Sequence, residues 1–366
     1  MKRILIWELK SPIGGVENVI MNYLRHFDRG EIVPDIMFKG DAFQYENEIE
    51  EMGGKVFYMP SYLPNVWKYR KKLDSVFTNT SYDAVWCNFS GLTNVDVLKK
   101  AKEYNVPVRI AHSHVTKLSW SSTFAKYIVI PLHYLNKSRV CKYATNYWCC
   151  SYSAGKFMFP KIVWDRLVYV KNAIDLDKYG FDFNIRSAVR GMYGINDELV
   201  IGHIGRYTIA KNQKFLLDIF KEILAIIPNS KLLLVAEGEL EDEIKSYAKE
   251  LDVEESIIFA GRIDDVATYY SAMDVFLLPS LFEGLGMTLI EAQMAGTPCL
   301  ASTNVPNEAK VTEGVKFLNL ELGASEWAKE AINLSKSRIN NPKDDVILAG
   351  YDISNEAIIV QGFFER

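Results

Sequence analysis

Two glutamates, Glu283 and Glu291, bracket the start of an apolar helical pattern in FEGLGMTLIEAQMAGTP (282–298), directly after the strand-like run DVFLLPS. Gly284 and Gly286 between them let the backbone approach a ligand without side-chain obstruction. A helix beginning there aims unpaired N–H groups and a positive dipole end at an anion. A diphosphate fits that description. Glu283, ahead of the helix, then faces a polyhydroxyl group beyond the diphosphate. Glu291, up to ~12 Å of helix rise away, accepts hydrogen bonds from a ribose at the other end. One sugar nucleotide accounts for both carboxylates, whereas a generic glutamate pair at this spacing is a solvated surface. A basic motif elsewhere supports the ligand: GRYTIAKNQ sets Arg206 and Lys211 five residues apart, in a loop between a strand and a helix. Such a pair neutralises a diphosphate leaving group, Arg by its fork and Lys as a point charge.

Three further motifs are weaker. SPIGGVEN places Gly14 and Gly15 ahead of a helix starting near Glu17. It is not the dinucleotide fingerprint, because the third glycine is missing and the second strand ends MFKG without an acidic residue. In VRIAHSHV, His112 stands at a strand end and His114 two residues on shares its face if the strand continues. Two histidines without a third ligand do not make a zinc site. Asp175 and Asp177 form an Asp-x-Asp, but in a turn-rich segment where Asp caps turns and helices, so no metal is expected there. Arg206 and Lys211 supply the electrostatics that an ion would.

The elements that must hold these residues alternate. The first half reads KRILIWEL, then ENVIMNYLRHF; PDIMFKG, then an acidic helix; KVFYMP; YDAVWCNF; VPVRIAHSH; and YWCCS. The second half repeats the rhythm with LVIGHIGR, KLLLVAEG, SIIFAGR and DVFLLPS separated by helical patterns. Strands alternating with amphipathic helices imply βαβ units, and uninterrupted apolar strand cores suit parallel strands covered on both faces. A chain of 366 residues exceeds one ordinary domain, so the expectation is two doubly wound, Rossmann-like parallel-sheet domains. The boundaries are 1–172 for the first, 173–197 for a linker rich in turn formers and 198–345 for the second. An amphipathic tail, 346–366, packs back on the first domain.

Hydrophobic content of 49% and charged content of 24% describe a globular protein. Five cysteines without a C-x-x-C pair argue against a disulfide framework or structural zinc and point to a reducing cytosol. MKRILIWEL reads as a first strand rather than a leader, and no eighteen-residue apolar run exists to span a membrane. The net charge of −4 is unevenly spread. Residues 104–164 contain no Asp or Glu but eight cations, Arg109, Lys117, Lys126, Lys137, Arg139, Lys142, Lys156 and Lys161. Trp120, Phe124, Tyr127, Tyr134, Tyr143, Tyr147 and Trp148 are interleaved with them. That mixture suits an anionic membrane surface or a solvated face over an aromatic core. No RNA-binding or helix-turn-helix signature accompanies it, so nucleic acid is not an expected partner.

GRYTIAKN, AEGEL, IIFAGR, DVFLLPSLFEGLGMTLIEAQMAGTPCLAS and the early GGVEN together resemble the nucleotide-sugar glycosyltransferases of family 4, which have the two-domain GT-B fold with domains facing across a cleft. The resemblance covers essentially the whole chain and is most specific in the second half. Within the family it is similar to bacterial transferases of capsular or extracellular polysaccharide. It implies that Glu283 contacts the donor sugar, Glu291 binds ribose, and Arg206 with Lys211 holds the diphosphate. The backbone of Gly284, Leu285, Gly286, Met287 and Thr288 adds phosphate contacts, Arg262 and Ile263 lie beside the base, and Gly15 closes over the phosphates from the first domain. It also implies a site histidine that contacts the sugar, for which His112 is favoured over His114. Ala236 departs from the glycine that many relatives carry in AEGE.

The implied activity is retaining transfer of a hexose-type sugar from a nucleotide donor, UDP-linked, to a lipid-linked oligosaccharide. It takes place on the cytoplasmic face of the membrane, with no cofactor and no metal, the nucleotide sugar being a co-substrate. Two alternatives stay open: a GT-B UDP-sugar epimerase and a non-catalytic polysaccharide-assembly subunit.

Overall fold

Apolar runs buried on both faces pair most economically as parallel strands, and the two halves of the chain do so separately. A computed structural model describes residues 1–10, 14–118, 123–263 and 265–365, without the side chains of 123–126. The chain divides into one unit of Met1–Ile174 with Asp352–Arg366 and another of Asp175–Tyr351.

In the first unit the described strands are β1 (Lys2–Lys10), β2 (Ile32–Lys39), β3 (Val56–Tyr58), β4 (Ala84–Phe89), β5 (Val108–Ser113), β6 (Asn146–Cys149) and β7 (Leu167–Tyr169). They form one sheet in the order β3-β2-β1-β4-β5-β6-β7, every neighbour parallel. The helices between them are α1 (Gly15–His26), α2 (Glu46–Glu51), α3 (Val66–Thr78), α4 (Asp96–Glu103), α5 (Thr123–Tyr143) and α6 (Tyr152–Met158). The C-terminal helix, Ile353–Glu365, returns to this unit. Phe364 packs on Phe27, just after α1, and on Trp86 of β4, and Glu356 accepts from the Lys171 N–H at 3.3 Å.

Helix α5 has two faces at helical spacing. Val129, His133, Asn136 and Val140 are buried; Tyr127, Tyr134, Leu135, Arg139 and Lys142 are exposed. The buried polar pair grips the loop after β4: His133 Nδ1 accepts from the Leu92 N–H, and Asn136 donates to the Leu92 and Thr93 carbonyls. Trp120 of the cationic segment lies outside the described residues, as do the side chains of Phe124 and Lys126.

The second unit opens with α7 (Phe183–Met192), followed by β8 (Leu199–Ile204), α8 (Gln213–Ile226), β9 (Ser230–Val235), α9 (Glu241–Glu250), β10 (Ile257–Phe259), α10 (Ala267–Ala272), β11 (Val275–Leu278), α11 (Met287–Met294), β12 (Cys299–Ser302), β13 (Val315–Leu318) and α12 (Gly323–Leu334). The all-parallel order is β10-β9-β8-β11-β12-β13. In α8, Leu216, Leu217, Phe220 and Ile223 recur at helical spacing and are fully buried on the sheet. Gly202 in β8 has no room for a side chain, since a Cβ there would come within 2.0 Å of Met273 Sδ. The stretch 173–197, read as a linker from its turn formers, contains α7, and its residues from Asp175 onward are counted with this unit.

Both units are therefore Rossmann-like, each winding outward from a central strand pair, β1 with β4 and β8 with β11. Where the winding reverses, the loops at the strands' carboxyl ends diverge and leave a crevice for a ligand.

Candidate active site

In the second unit the two loops at that crevice are the two that carry the basic and acidic motifs. The β8 loop, Gly205–Asn212, holds Arg206 and Lys211; the β11 loop, Pro279–Gly286, holds Glu283 and the glycines. They are laced together by backbone: the Leu281 N–H donates to the Ala210 carbonyl at 2.8 Å, and Asn212 Nδ2 to the Pro279 carbonyl at 3.1 Å. Gln213 at the start of α8 donates to the Arg206 carbonyl at 2.8 Å, which fixes the β8 loop from below. Gly205 leaves room for the Lys211 stem, because a Cβ there would sit 3.0 Å from Lys211 Cε.

The lacing brings Lys211 and Glu283 together. Lys211 Nζ lies 2.8 Å from Glu283 Oε1, with both side chains largely withdrawn from solvent. Ser280 donates its hydroxyl to the same oxygen at 2.6 Å. An ionised carboxylate so held is fixed in direction, because two donors converge on one oxygen. Beyond it Gly286 adopts φ +96°, a left-handed turn that glycine tolerates, and places the first N–H groups of α11 at the loop's open side. Thr288 in the first turn has a buried hydroxyl without a partner among the described residues.

Glu291 is one turn further along α11. Burial pushes its carboxyl up from the ordinary value, and the Tyr270 and Tyr179 hydroxyls, then Lys178 and Lys211, pull it back. Tyr270 donates to Oε2 at 2.6 Å.

Arg206 and Arg262 are placed differently. Both reach the turn after β9 that carries AEGE: Arg206 stands 3.9 Å from Glu239 and Arg262 3.4 Å from Glu237, with all four side chains substantially exposed. Such exposed pairs contribute little to stability. Gly238 in that turn passes against the Tyr207 backbone, where a Cβ would meet the carbonyl oxygen at 2.6 Å. Asp175 accepts from the Asp177 N–H in a local turn, and Asp177 pairs with Lys343.

In the first unit, Gly15 opens α1 and a Cβ on it would touch nothing within 4 Å. Glu17 caps this helix start, accepting from the Gly14 and Lys10 N–H groups. His112 sits inside β5 with no exposed surface. Its Nδ1 accepts from Trp86 Nε1 at 3.1 Å, and its ring packs against both Trp86 and Trp148. His114 shares that face, ring centroids 4.0 Å apart, but stands beyond the strand end, with Nε2 2.9 Å from Asn88 Oδ1. Asn88 Nδ2 donates to the Trp7 carbonyl, so Oδ1 is the acceptor and His114 carries its proton on Nε2. Burial lowers both imidazoles, His114 to about 3.

A groove of about 830 Å³ in the second unit, lined by Phe183, Arg186, Arg190 and Asp274, lies at the amino ends of the strands, away from these loops. Arg186 and Arg190 are committed there to Asp274 and to backbone carbonyls. The basic and acidic motifs are at the carboxyl ends.

Residues 187–343 match the family model of glycosyl transferases group 1. The second unit thus matches the group 1 glycosyltransferases, and a likeness to glycosyltransferases extends over the rest of the chain. This transferase is 29% identical to EpsF of Bacillus subtilis, which bears a glycosyltransferase name, over 93% of the chain and 90% of EpsF. It is 28% identical over 43% of its length to 42% of the Escherichia coli protein named UDP-Gal:alpha-D-GlcNAc-diphosphoundecaprenol alpha-1,3-galactosyltransferase. The whole transferase also superposes on HepE of Anabaena, solved with UDP and glucose, with TM-score 0.79 at 16% identity over 100% of this chain and 99% of that one. That likeness gives the transferase the GT-B fold. Ser280, Tyr270 and Tyr179 are the contacts that sequence reading of the transferase misses. Ser280, three residues before Glu283 at the strand end, carried a signal in its spacing; Tyr179 carried none.

Proposed function

We propose that the chain moves a hexose-type sugar from a UDP-linked donor, with retention of configuration, to a lipid-linked oligosaccharide in surface polysaccharide assembly. The observation that carries this is the convergence of Lys211, Ser280 and Glu283 beside the start of α11, at the crevice between β8 and β11. Lys211 and the α11 N–H groups are assigned to the leaving diphosphate, where charge collects as its bond to the anomeric carbon breaks. Arg206, held loosely by Glu239, is free to swing onto the same diphosphate, and no metal or cofactor is assigned a part. Glu283 is assigned to the transferred sugar, Glu291 to the ribose, Arg262 to the vicinity of the base and the Gly284–Thr288 backbone to the phosphates. Of the two histidines, His112 is assigned the sugar contact, with His114, its ring centroid 4.0 Å away, as the alternative. HepE's complex with UDP-glucose and the diphosphoundecaprenol acceptor in the E. coli relative's name support the donor and acceptor classes. A relative in Salmonella typhi named for Vi polysaccharide biosynthesis supports the pathway class.

Among the described residues no helix is long and apolar enough to cross a membrane. A peripheral position on the cytoplasmic face is assigned to the cationic segment 104–164, whose helix α5 exposes Tyr127, Tyr134 and Leu135 beside Arg139 and Lys142. The test is a panel of nucleotide sugars titrated for binding, followed by incubation of the tightest donor with polyprenyl-diphosphate-linked saccharides and analysis of the product's anomeric configuration. Acceptor-dependent transfer with retention is the expected result. Interconversion of the sugar without any acceptor identifies an epimerase instead, and donor binding without turnover on any acceptor identifies a non-catalytic subunit.

A further inference from the structure

Two phenols from different parts of the second unit stand at Glu291, Tyr270 in direct contact and Tyr179 packed against Tyr270. Tyr270, in α10, is fully buried between Phe276 and Tyr179, and its hydroxyl meets Glu291 Oε2 at 2.6 Å. Tyr179 lies in the stretch before α7, its ring packed on that of Tyr270 with centroids 6.2 Å apart, and its hydroxyl is near enough to the same carboxylate to favour its charge. Lys178 beside it pairs with Asp265 at 3.4 Å, which ties this stretch over the start of α10.

A phenol at neutral pH is an obligate donor toward an ionised carboxylate, and 2.6 Å is the length of a charge-assisted O–H···O⁻ bond. A carboxylate offers about four lone-pair positions. One is met by the Tyr270 hydroxyl and a second faces Tyr179, and two remain for a pair of vicinal hydroxyls. A neutral carboxyl in the same place would have to turn a donor of its own toward two groups that already donate.

We propose that Tyr179 and Tyr270 are positioning residues that keep Glu291 ionised and aimed so that it accepts both ribose hydroxyls of the donor nucleotide. This rests on the assignment of Glu291 to the ribose. The opposing influences are all local. Burial disfavours the charge; the phenols, Lys178 and Lys211 favour it; Asp175 and Asp265 face Tyr179, and the Cys299 thiol faces Tyr270. Removing either hydroxyl leaves the burial in place and withdraws one charge-stabilising bond, so the carboxyl titrates at higher pH.

Titration calorimetry of UDP and of 2′,3′-dideoxy-UDP between pH 5 and 8 tests this with Tyr270→Phe, Tyr179→Phe and Glu291→Gln. The diphosphate's own titration is common to both nucleotides and cancels in the ratio of their affinities. Each phenol variant is expected to move the midpoint of that ratio up by about one pH unit, with about tenfold weaker UDP binding in the shifted interval and unchanged binding of the dideoxy nucleotide. Equal weakening of both nucleotides, or an unmoved midpoint, overturns the proposal while leaving the ribose assignment standing if Glu291→Gln still penalises UDP alone. Should Glu291→Gln weaken both nucleotides alike, the ribose assignment itself is wrong and the proposal falls with it. Tyr179→Phe, at a partly exposed position, supplies the result if the fully buried Tyr270→Phe does not fold.

Discussion

Replacing Glu283 by Gln separates two things that the Lys211–Glu283 contact does at once. The carboxylate faces the position assigned to the transferred sugar, and it also offsets the charge of the lysine assigned to the diphosphate, 2.8 Å away. Gln keeps the shape and can still accept from Ser280 and Lys211, so the loops remain laced. What disappears is one negative charge. A diphosphate oxygen on the far side of the Lys211 ammonium would lie about 5–6 Å from Glu283 Oε1. At an effective dielectric of about 60 that repulsion is about 1 kcal/mol, so its relief tightens UDP binding about fivefold. The folded state loses the charge assistance of two hydrogen bonds, about 1–2 kcal/mol. Transfer loses a group placed to stabilise developing charge at the sugar, a fall of at least about 100-fold.

Calorimetry with UDP, a transfer assay under saturating donor and urea unfolding read the three numbers independently. The expected pattern is tighter UDP binding together with slower transfer. Weakened UDP binding in proportion to the lost transfer would refute the reasoning, since it would mean that Glu283 serves only to hold Lys211 in place for the phosphate.

The buried imidazoles make stability depend on pH. Burial lowers His112, His114 (about 3) and His203 (about 4), so below the ordinary value of ~6.5 the unfolded chain binds protons that the folded chain does not; stability is complete above ~6.5 and falls by up to about 1.4 kcal/mol per pH unit per histidine as pH drops toward 4, a loss that the raised Glu291 carboxyl partly opposes. Urea midpoints at pH 7, 6 and 5 should decline, and a flat series would contradict these positions. Gln293→Leu should cost about 2–4 kcal/mol in urea unfolding, because the buried amide donates to the Leu289 and Ala309 carbonyls and accepts from the Val311 and Thr312 N–H groups; a loss below about 1 kcal/mol would show that water replaces it. Arg139→Glu with Lys142→Glu and Tyr134→Ser should release the protein from anionic vesicles in sedimentation, and unchanged binding would remove α5 as the membrane contact. Lys137 is a poorer target than its charge suggests, since its ammonium is already bound to the Lys156 and Phe157 carbonyls.

What could be read in the sequence was whatever local periodicity or spacing encodes. LVIGHI, KLLLV and VFLL announce strands buried on both faces, and from the alternation of strands and helices the doubly wound order follows. The glutamate and lysine motifs then fall at the carboxyl ends of β8 and β11 because they directly follow those runs. Contacts made across long stretches of chain leave no such mark. Tyr179 reaches Glu291 from a segment whose turn formers read as a linker, although Asp182 is a good N-cap and Arg186 and Arg190 recur one turn apart on the helix it starts. Those arginines matter only once folding brings Asp274 beneath them, which no window of sequence displays. The histidines show the same limit at finer scale. A period of two puts His112 and His114 on one face, but what surrounds them depends on the registers of β4 with β5 and of β5 with β6, which set Asn88 and Trp148 beside His112 while Trp86 stacks on its ring. Register is set by the packing of the whole sheet, so the environment of two residues on the same face needed the neighbouring strands rather than the motif itself.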